Sequence, residues 1–155
     1  MSSEPQVVPE EEFAGLEWDY PNPFVIRVRA STDDIDVLDH VNNGVYLRWM
    51  EQVAWAHSQS CGIDWNVYHR LNRAMVARRH EIDYLAACFE GDRILASTWI
   101  AEPSRIGLKR YYQLIREQDR RTVLRAKTQW VCMDLKRGKP ARMPPEFVEA
   151  YRPTA

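Results

Sequence analysis

A change of hydrophobic period, just under halfway along the chain, limits what it can fold into more than any other feature. From Val45 to about Ser60, Arg48, Glu51, Gln52, Trp55 and Gln59 recur on one stripe at three-to-four spacing, while Val45, Leu47, Trp49, Met50, Val53, Ala54 and Ala56 fill the remainder. That is the pattern of a helix enclosed on most of its circumference, roughly 24 Å long at about 1.5 Å per residue. Gly62 is placed to stop it, and Asp64 to cap a short second helix from Trp65 to about Leu71. The period then becomes two. Residues 74–86, 92–102, 108–117 and 121–135 alternate and are rich in Val, Ile, Tyr, Trp and Thr. Short links, Glu90-Gly91-Asp92, Pro103 to Gly107 and Gln118 to Arg120, join them, so neighbours run antiparallel.

An earlier stretch, Phe24 to Ala30, alternates as well, with Arg27 and Arg29 on its polar face. The expectation is an α+β domain in which a five-stranded antiparallel sheet curls around one long central helix. A single sheet leaves part of that helix uncovered, and a second copy would complete the cover. Residues 1–22 hold Pro5, Pro9, Gly15 and the acid run Glu10-Glu11-Glu12. They are expected to form a flexible tail, pinned at its end by Phe13, Leu16 and Trp18, ahead of a single domain spanning 23–155. Pro144-Pro145 is placed to open a last short helix, and Lys136 to Lys139 to form a turn.

Composition removes several function classes. The 155 residues suffice for one domain with a sizeable core but hardly for two. A net charge of −1 with interspersed signs leaves no electrostatic footprint for nucleic acid or an anionic membrane. No apolar run reaches the roughly 20 residues of a bilayer span. Residues 1–12 lack the basic and apolar regions of a signal peptide, so a cytoplasmic protein is expected. Cys61, Cys88 and Cys132 lie too far apart for a metal-ligand spacing.

Chemistry concentrates between the first strand and the long helix. Asp34-Ile35-Asp36-Val37-Leu38-Asp39-His40-Val41-Asn42-Asn43 gathers carboxylates, an imidazole and two amides in ten residues, immediately before Gly44-Val45-Tyr46. Helix starts present free backbone N–H groups, so a carboxylate there can meet a substrate oxygen that those donors hold. The pattern Asp34-Ile35-Asp36-Val37 also fits the short phosphatase motif of the haloacid dehalogenase group. That motif follows a continuously apolar parallel strand, and Arg27 and Arg29 exclude one here. A calcium loop of the EF-hand type is excluded by the missing glycine and terminal glutamate.

Asp34-x-Asp36-x-x-x-His40-Val41-Asn42-Asn43-x-x-Tyr46-Leu47, followed by Glu51, resembles the first motif of hotdog-fold acyl-CoA thioesterases. The likeness is to the group that includes 4-hydroxybenzoyl-CoA thioesterase, and Asp36 to Asn43 is nearest to its long-chain acyl-CoA branch. Glu81-Ile82-Asp83-Tyr84-Leu85, Phe89-Glu90-Gly91-Asp92 and Ser104-Arg105-Ile106-Gly107 add weaker similarity. The resemblance implies a hotdog fold, a homodimer or homotetramer with its site at the dimer interface, and hydrolysis of a fatty or aromatic acyl-CoA to free acid and CoA without metal or other cofactor. It puts the essential carboxylate at Asp36. One departure is Asp39, where many members carry Gly.

On this reading Asp36 is general base or nucleophile, and His40 assists it or orients the loop. Asn42, Asn43 and the backbone of Gly44, Val45 and Tyr46 bind substrate, the amides polarising the thioester carbonyl. Arg105, with Lys109 and Arg110, is either a partner of the CoA phosphates or a solvated basic strand end. Asn42 and Asn43 equally suit helix caps, and Tyr46 and Trp49 suit the core. His57, His69 and His80 show no ligand spacing. The alternatives are a non-catalytic acyl-CoA-binding or regulatory module of the same fold and an acyl-carrier-protein thioesterase. A dehydratase of this fold would carry a His-x₅-Pro-Gly helix signature, which this sequence lacks.

Overall fold

The computed structural model describes residues 5–155, and its elements follow the order of the sequence pattern. In chain order they are β1 (Gln6–Val7), β2 (Phe24–Arg29), α1 (Asn43–Ser60), α2 (Trp65–Leu71), β3 (Arg73–Tyr84), β4 (Arg93–Ala101), β5 (Gly107–Arg116), β6 (Arg121–Asp134), β7 (Lys139–Pro140) and α3 (Pro145–Ala150). The long helix begins where Asn42 caps it, its side-chain oxygen accepting from the Gly44 N–H at 2.9 Å. Gly62, at φ +85°, ends it one residue past Cys61. Asp64 caps α2 by accepting from the Val67 N–H at 3.0 Å, and Pro145 sits in the first turn of α3.

Among the described residues the sheet has seven strands rather than the expected five. The five long ones are those the alternation marks. β1 and β7 are two residues each, too short to carry a period, and β7 forms where Lys136 to Lys139 was expected only to turn. The order is β1-β2-β4-β5-β6-β3, antiparallel throughout, with β7 on β6. One face wraps α1, and Ile26, Met50, Val53, Ile94, Ala96 and Leu114 fill the space between. A second core gathers Ile63, Tyr68, Ile100, Leu108 and Phe147 where α2 and α3 close over the sheet.

Residues 5–22 carry regular structure of their own and lie on the other face. Val8 and Phe13 are buried with Val25 and Leu95, and Leu16 and Trp18 pack against them. Gln113, fully buried, accepts from the Asp19 N–H at 2.8 Å and donates to the Glu17 carbonyl at 3.1 Å. The Trp99 indole donates to the Pro21 carbonyl at 2.9 Å. Buried polar groups on that face are thus satisfied by the segment that covers them.

A bulge on β3 and a regular row on β5 shape the helix-facing side. Ala77 pairs with Trp130, but Arg79 pairs with Gln129, so a bulge at Arg78 changes which residues of β3 share a face. On β5, Leu108, Arg110, Tyr112 and Leu114 form the row paired with Trp130, Thr128, Ala126 and Leu124. β3 is a sheet edge, bonded on one side to β6. Among the described residues no helix is long and apolar enough to cross a membrane.

Candidate functional site

The loop from Ile35 to Val41 is a closed hairpin set at the start of α1. Ile35 and Val41 form an antiparallel bridge, and the Asp36 N–H donates to the His40 carbonyl at 2.9 Å. Asp36 makes an Asx turn: its Oδ1 accepts from the Leu38 N–H at 2.8 Å, while its carbonyl accepts from Asp39 at 3.0 Å. Its Oδ2 accepts no hydrogen bond among the described residues, and the side chain is half-buried. Asp39 closes the turn at φ +61°, a left-handed conformation that Asp tolerates and Gly adopts freely.

The loop is tied down from beneath. Asp34, only 6% exposed, accepts from the N–H and hydroxyl of Ser31 at 2.8 and 3.1 Å and pairs with Arg48 of α1. The Asn42 N–H donates to the Asp34 carbonyl at 2.8 Å, and the Val41 N–H to the Cys88 carbonyl at 2.9 Å. Tyr46 is buried, and its hydroxyl accepts from the Cys88 N–H at 3.0 Å. Burial pushes the pKa of Tyr46 and of the Cys88 thiol upward, so neither supplies an anion near neutral pH.

The expected site residues divide accordingly. His40, Asn42, Asn43 and Gly44 gather exposed around the start of α1, with Asp36 half-buried near them; Val45 and Tyr46 beside them are buried. The Gly44 N–H is taken by the Asn42 side chain and the Val45 N–H by the Asn42 carbonyl at 2.9 Å. His40 is exposed and sets its ring edge-on to Phe89 at 5.3 Å; among the described residues no side-chain hydrogen bond joins it to Asp36. Asn43 offers its carbonyl to the Tyr84 hydroxyl at 3.3 Å.

Arg105 lies elsewhere. The Asp36 loop follows the end of β2, whose Arg29 pairs with Arg93 at the start of β4, whereas Arg105 follows the end of that nine-residue strand. At about 3.3 Å per residue the two are separated by roughly 30 Å of sheet within one protomer. Of its basic neighbours, Lys109 pairs with Glu102 at 3.5 Å, but Arg110 is not a solvated strand end: it is 3% exposed.

Arg110, which charge alone groups with Arg105 and Lys109, instead forms a buried polar centre with His57. It donates to His57 Nδ1 at 2.8 Å, Ser58 Oγ at 3.1 Å and Thr98 Oγ1 at 3.4 Å, and faces the Tyr151 ring at 5.7 Å. A guanidinium only donates, so His57 Nδ1 is the unprotonated nitrogen. Burial, and then the Arg110 charge, push the His57 pKa down to about 3. A cavity of about 270 Å³ opens beside this cluster, between α1, α2, β5, β6 and α3. The alternation of β5 carried the signal: Arg110 shares its parity with Leu108, Tyr112 and Leu114. Among the described residues no three His, Cys, Asp or Glu side chains gather closely enough to hold a metal ion.

Solved structures share this fold. A 1,4-dihydroxy-2-naphthoyl-CoA thioesterase from Synechocystis is 21% identical, with a TM-score of 0.76 over 84% of this chain and 96% of that one. A probable thioesterase from Escherichia coli, YbaW, is 22% identical, with a TM-score of 0.72 over 81% and 94%. A Staphylococcus aureus protein solved in complex with CoA is 14% identical, with a TM-score of 0.79 over 90% and 91%. No curated protein matches the chain in sequence. The family model of the thioesterase-like superfamily matches residues 30–151, which takes in the Asp36 loop, α1 and the long strands from β3 to β6. The chain belongs to the thioesterase-like superfamily.

Proposed function

We propose that the protein hydrolyses acyl-CoA thioesters and that Asp36 is the reacting carboxylate. The observation that carries this reading is the state of that side chain: one oxygen is fixed by the Leu38 N–H and the other has no partner among the described residues, just ahead of an 18-residue helix. A thioester carbonyl is already electrophilic, so it needs an oxygen nucleophile and a donor for the developing oxyanion. As base, Asp36 takes a proton from water while the water oxygen adds to the carbonyl carbon. The tetrahedral intermediate then expels the CoA thiolate, which picks up a proton to leave free acid and thiol. As nucleophile, Asp36 adds to the carbonyl carbon, the C–S bond breaks, and the CoA thiolate leaves and picks up a proton. Water then opens the mixed anhydride to release the free acid and restore the Asp36 carboxylate. The Gly44 N–H is the donor for the carbonyl oxygen, and Asn42 Oδ1, itself a carbonyl oxygen, holds its place until substrate displaces it.

The same reading makes the site bimolecular. β3 leaves twelve residues of strand edge unpaired, with Val76 and Tyr84 exposed, and pairing with a second copy would bury them. Val37 and Leu38 stand exposed at the tip of the Asp36 loop, as groups awaiting a facing surface would. Arg105, remote from Asp36 in its own protomer, is then offered to CoA phosphates bound at the partner's loop.

The test is free-thiol release from short, long and aromatic acyl-CoAs by wild type and Asp36→Asn. Turnover that falls a hundredfold or more in kcat in the variant supports the reading. Equal turnover by both removes Asp36 from the chemistry. No turnover by wild type, on CoA or acyl-carrier-protein thioesters, leaves a binding module.

A further inference from the structure

A buried cation with no anion marks the second polar centre. Arg110 makes no salt bridge among the described residues, and its three partners, His57, Ser58 and Thr98, are all neutral. Ser58 Oγ is already held by the Tyr151 hydroxyl at 2.9 Å. Withdrawing a guanidinium from water without a counter-charge is costly, and folded chains rarely retain one that does nothing. A second group beside it is also unsatisfied. Trp130 Nε1 is buried and meets no partner in full hydrogen-bonding geometry among the described residues, although the Tyr112 hydroxyl lies close enough to interact with it. Both residues line the same cavity of about 270 Å³, whose other walls include Trp55, Trp65, Tyr68 and Met75. Among the described residues Glu51 is the only carboxylate on that lining, and it is exposed.

A void of about 150 Å³ suffices to hold benzene. This one has room for a ring or a short alkyl chain and a polar head. The head that suits an unpaired guanidinium is a carboxylate, which accepts two parallel N–H bonds. We infer that the cavity beside α1 binds a small apolar carboxylate, its body against the aromatic wall and its charge received by Arg110.

That chemistry has two sources. One is the distal carboxylate of an acyl group, in the half-thioester of a dicarboxylic acid; the other is a free carboxylic acid, such as the product of hydrolysis. The first rests on the thioesterase reading, and the second does not. Ser58, which Arg110 touches, lies 15 positions beyond the first residue of α1, about 22 Å along the helix. A short acyl group anchored at Arg110 would therefore not reach the Asp36 of its own protomer, and the first source requires a site completed by a second copy.

Calorimetric titration of the wild-type protein with benzoate, adipate and the neutral isostere benzamide tests the site directly. The expected result is saturable binding of an acid at least tenfold tighter than benzamide, with that preference lost in Arg110→Met. Equal binding of benzamide and benzoate, or no binding by either acid, overturns the inference. Should Arg110→Met fail to fold, the acid-to-amide ratio in the wild type decides alone. The two sources separate on turnover of adipoyl-CoA against hexanoyl-CoA. A tenfold or greater kcat/KM preference for adipoyl-CoA assigns the cavity to the acyl group; no preference, with benzoate bound, assigns it to the free acid. Acid binding without hydrolysis of any thioester sinks the thioesterase reading and keeps the cavity. Hydrolysis of hexanoyl-CoA without acid binding does the reverse.

Discussion

Two polar centres flank α1, and they are built in opposite ways. At the N-terminal end, the Asp36 loop is secured through its backbone, by the Ile35–Val41 bridge, the Val41–Cys88 bond and the Asn42–Asp34 bond, while the side chains proposed to act on substrate are left exposed or half-buried. Towards the C-terminal end, Arg110 sits on a regular strand and is held by side chains, inside the protein. A group that must meet a changing set of atoms needs a rigid backbone and a free head. A group that must select one charge gains from burial, because low dielectric strengthens its attraction for the right partner and the cost of leaving it unpaired.

The widest test of that contrast is Asp36→Asn. Its backbone ties survive, and the Asx turn is one that Asn also makes, so kcat should fall a hundredfold or more while Tm stays within about a degree. A large fall in Tm would mean that the carboxylate holds the loop rather than serving a substrate.

Acidification probes the other centre. In the unfolded chain His57 takes up a proton below about pH 6.5. In the folded chain it does so only near pH 3, because burial and Arg110 oppose the charge. The folded-state pKa is depressed, so this contribution is complete above pH 6.5 and is lost as pH falls, at about 1.4 kcal/mol per unit. Urea midpoints at pH 7 and pH 5 should therefore differ by about 2 kcal/mol in stability more for wild type than for His57→Gln. Equal differences in the two proteins would place the titrating group elsewhere.

Asp34→Ala should cost about 1–3 kcal/mol, since it removes the buried charged acceptor of the Ser31 N–H and of Arg48. It should also lower kcat by loosening the loop, whereas a variant that keeps full activity would show that the bridge and the Cys88 tie suffice. The smallest effect concerns Asp39. Asp39→Gly should stay within about 0.5 kcal/mol, and Asp39→Val should lose about 1 kcal/mol, because only the second opposes the left-handed turn. Equal stability of the two variants would mean that backbone shape is not what the position selects.

Much of this was legible beforehand where a period was long enough to read. α1, α2 and the five long strands fall within one or two residues of their patterns, and caps such as Asp64 lie where their side-chain chemistry places them. The Asp36 motif also lands at a helix start, as its residues imply. The parts that escaped notice lacked a local signal. β1 and β7 are too short to alternate, and the bulge at Arg78 changes parity within β3 without any glycine to mark it. The acid run Glu10 to Glu12 reads as a solvated tail, yet it lies between Val8 and Phe13, which are buried on a sheet face that only the tertiary structure brings to them. Charge alone groups Arg110 with Arg105 and Lys109, whereas parity on β5 sets it on the face of Leu108, Tyr112 and Leu114. Neighbours in sequence on a strand point to opposite faces, so charge clusters there should be split by parity before they are assigned to a surface.

The covering of the outer sheet face by residues 5–22 bears on handling of the protein. A gene shortened to begin at Pro21 would look harmless against the family match, which starts at residue 30. It would strip the lid from Val25, Leu95 and Trp99 and leave Gln113 without the Asp19 and Glu17 backbone. The shortened protein would keep the Asp36 loop and the Arg110 cavity, and would be expected to fail first in the test tube, by clumping.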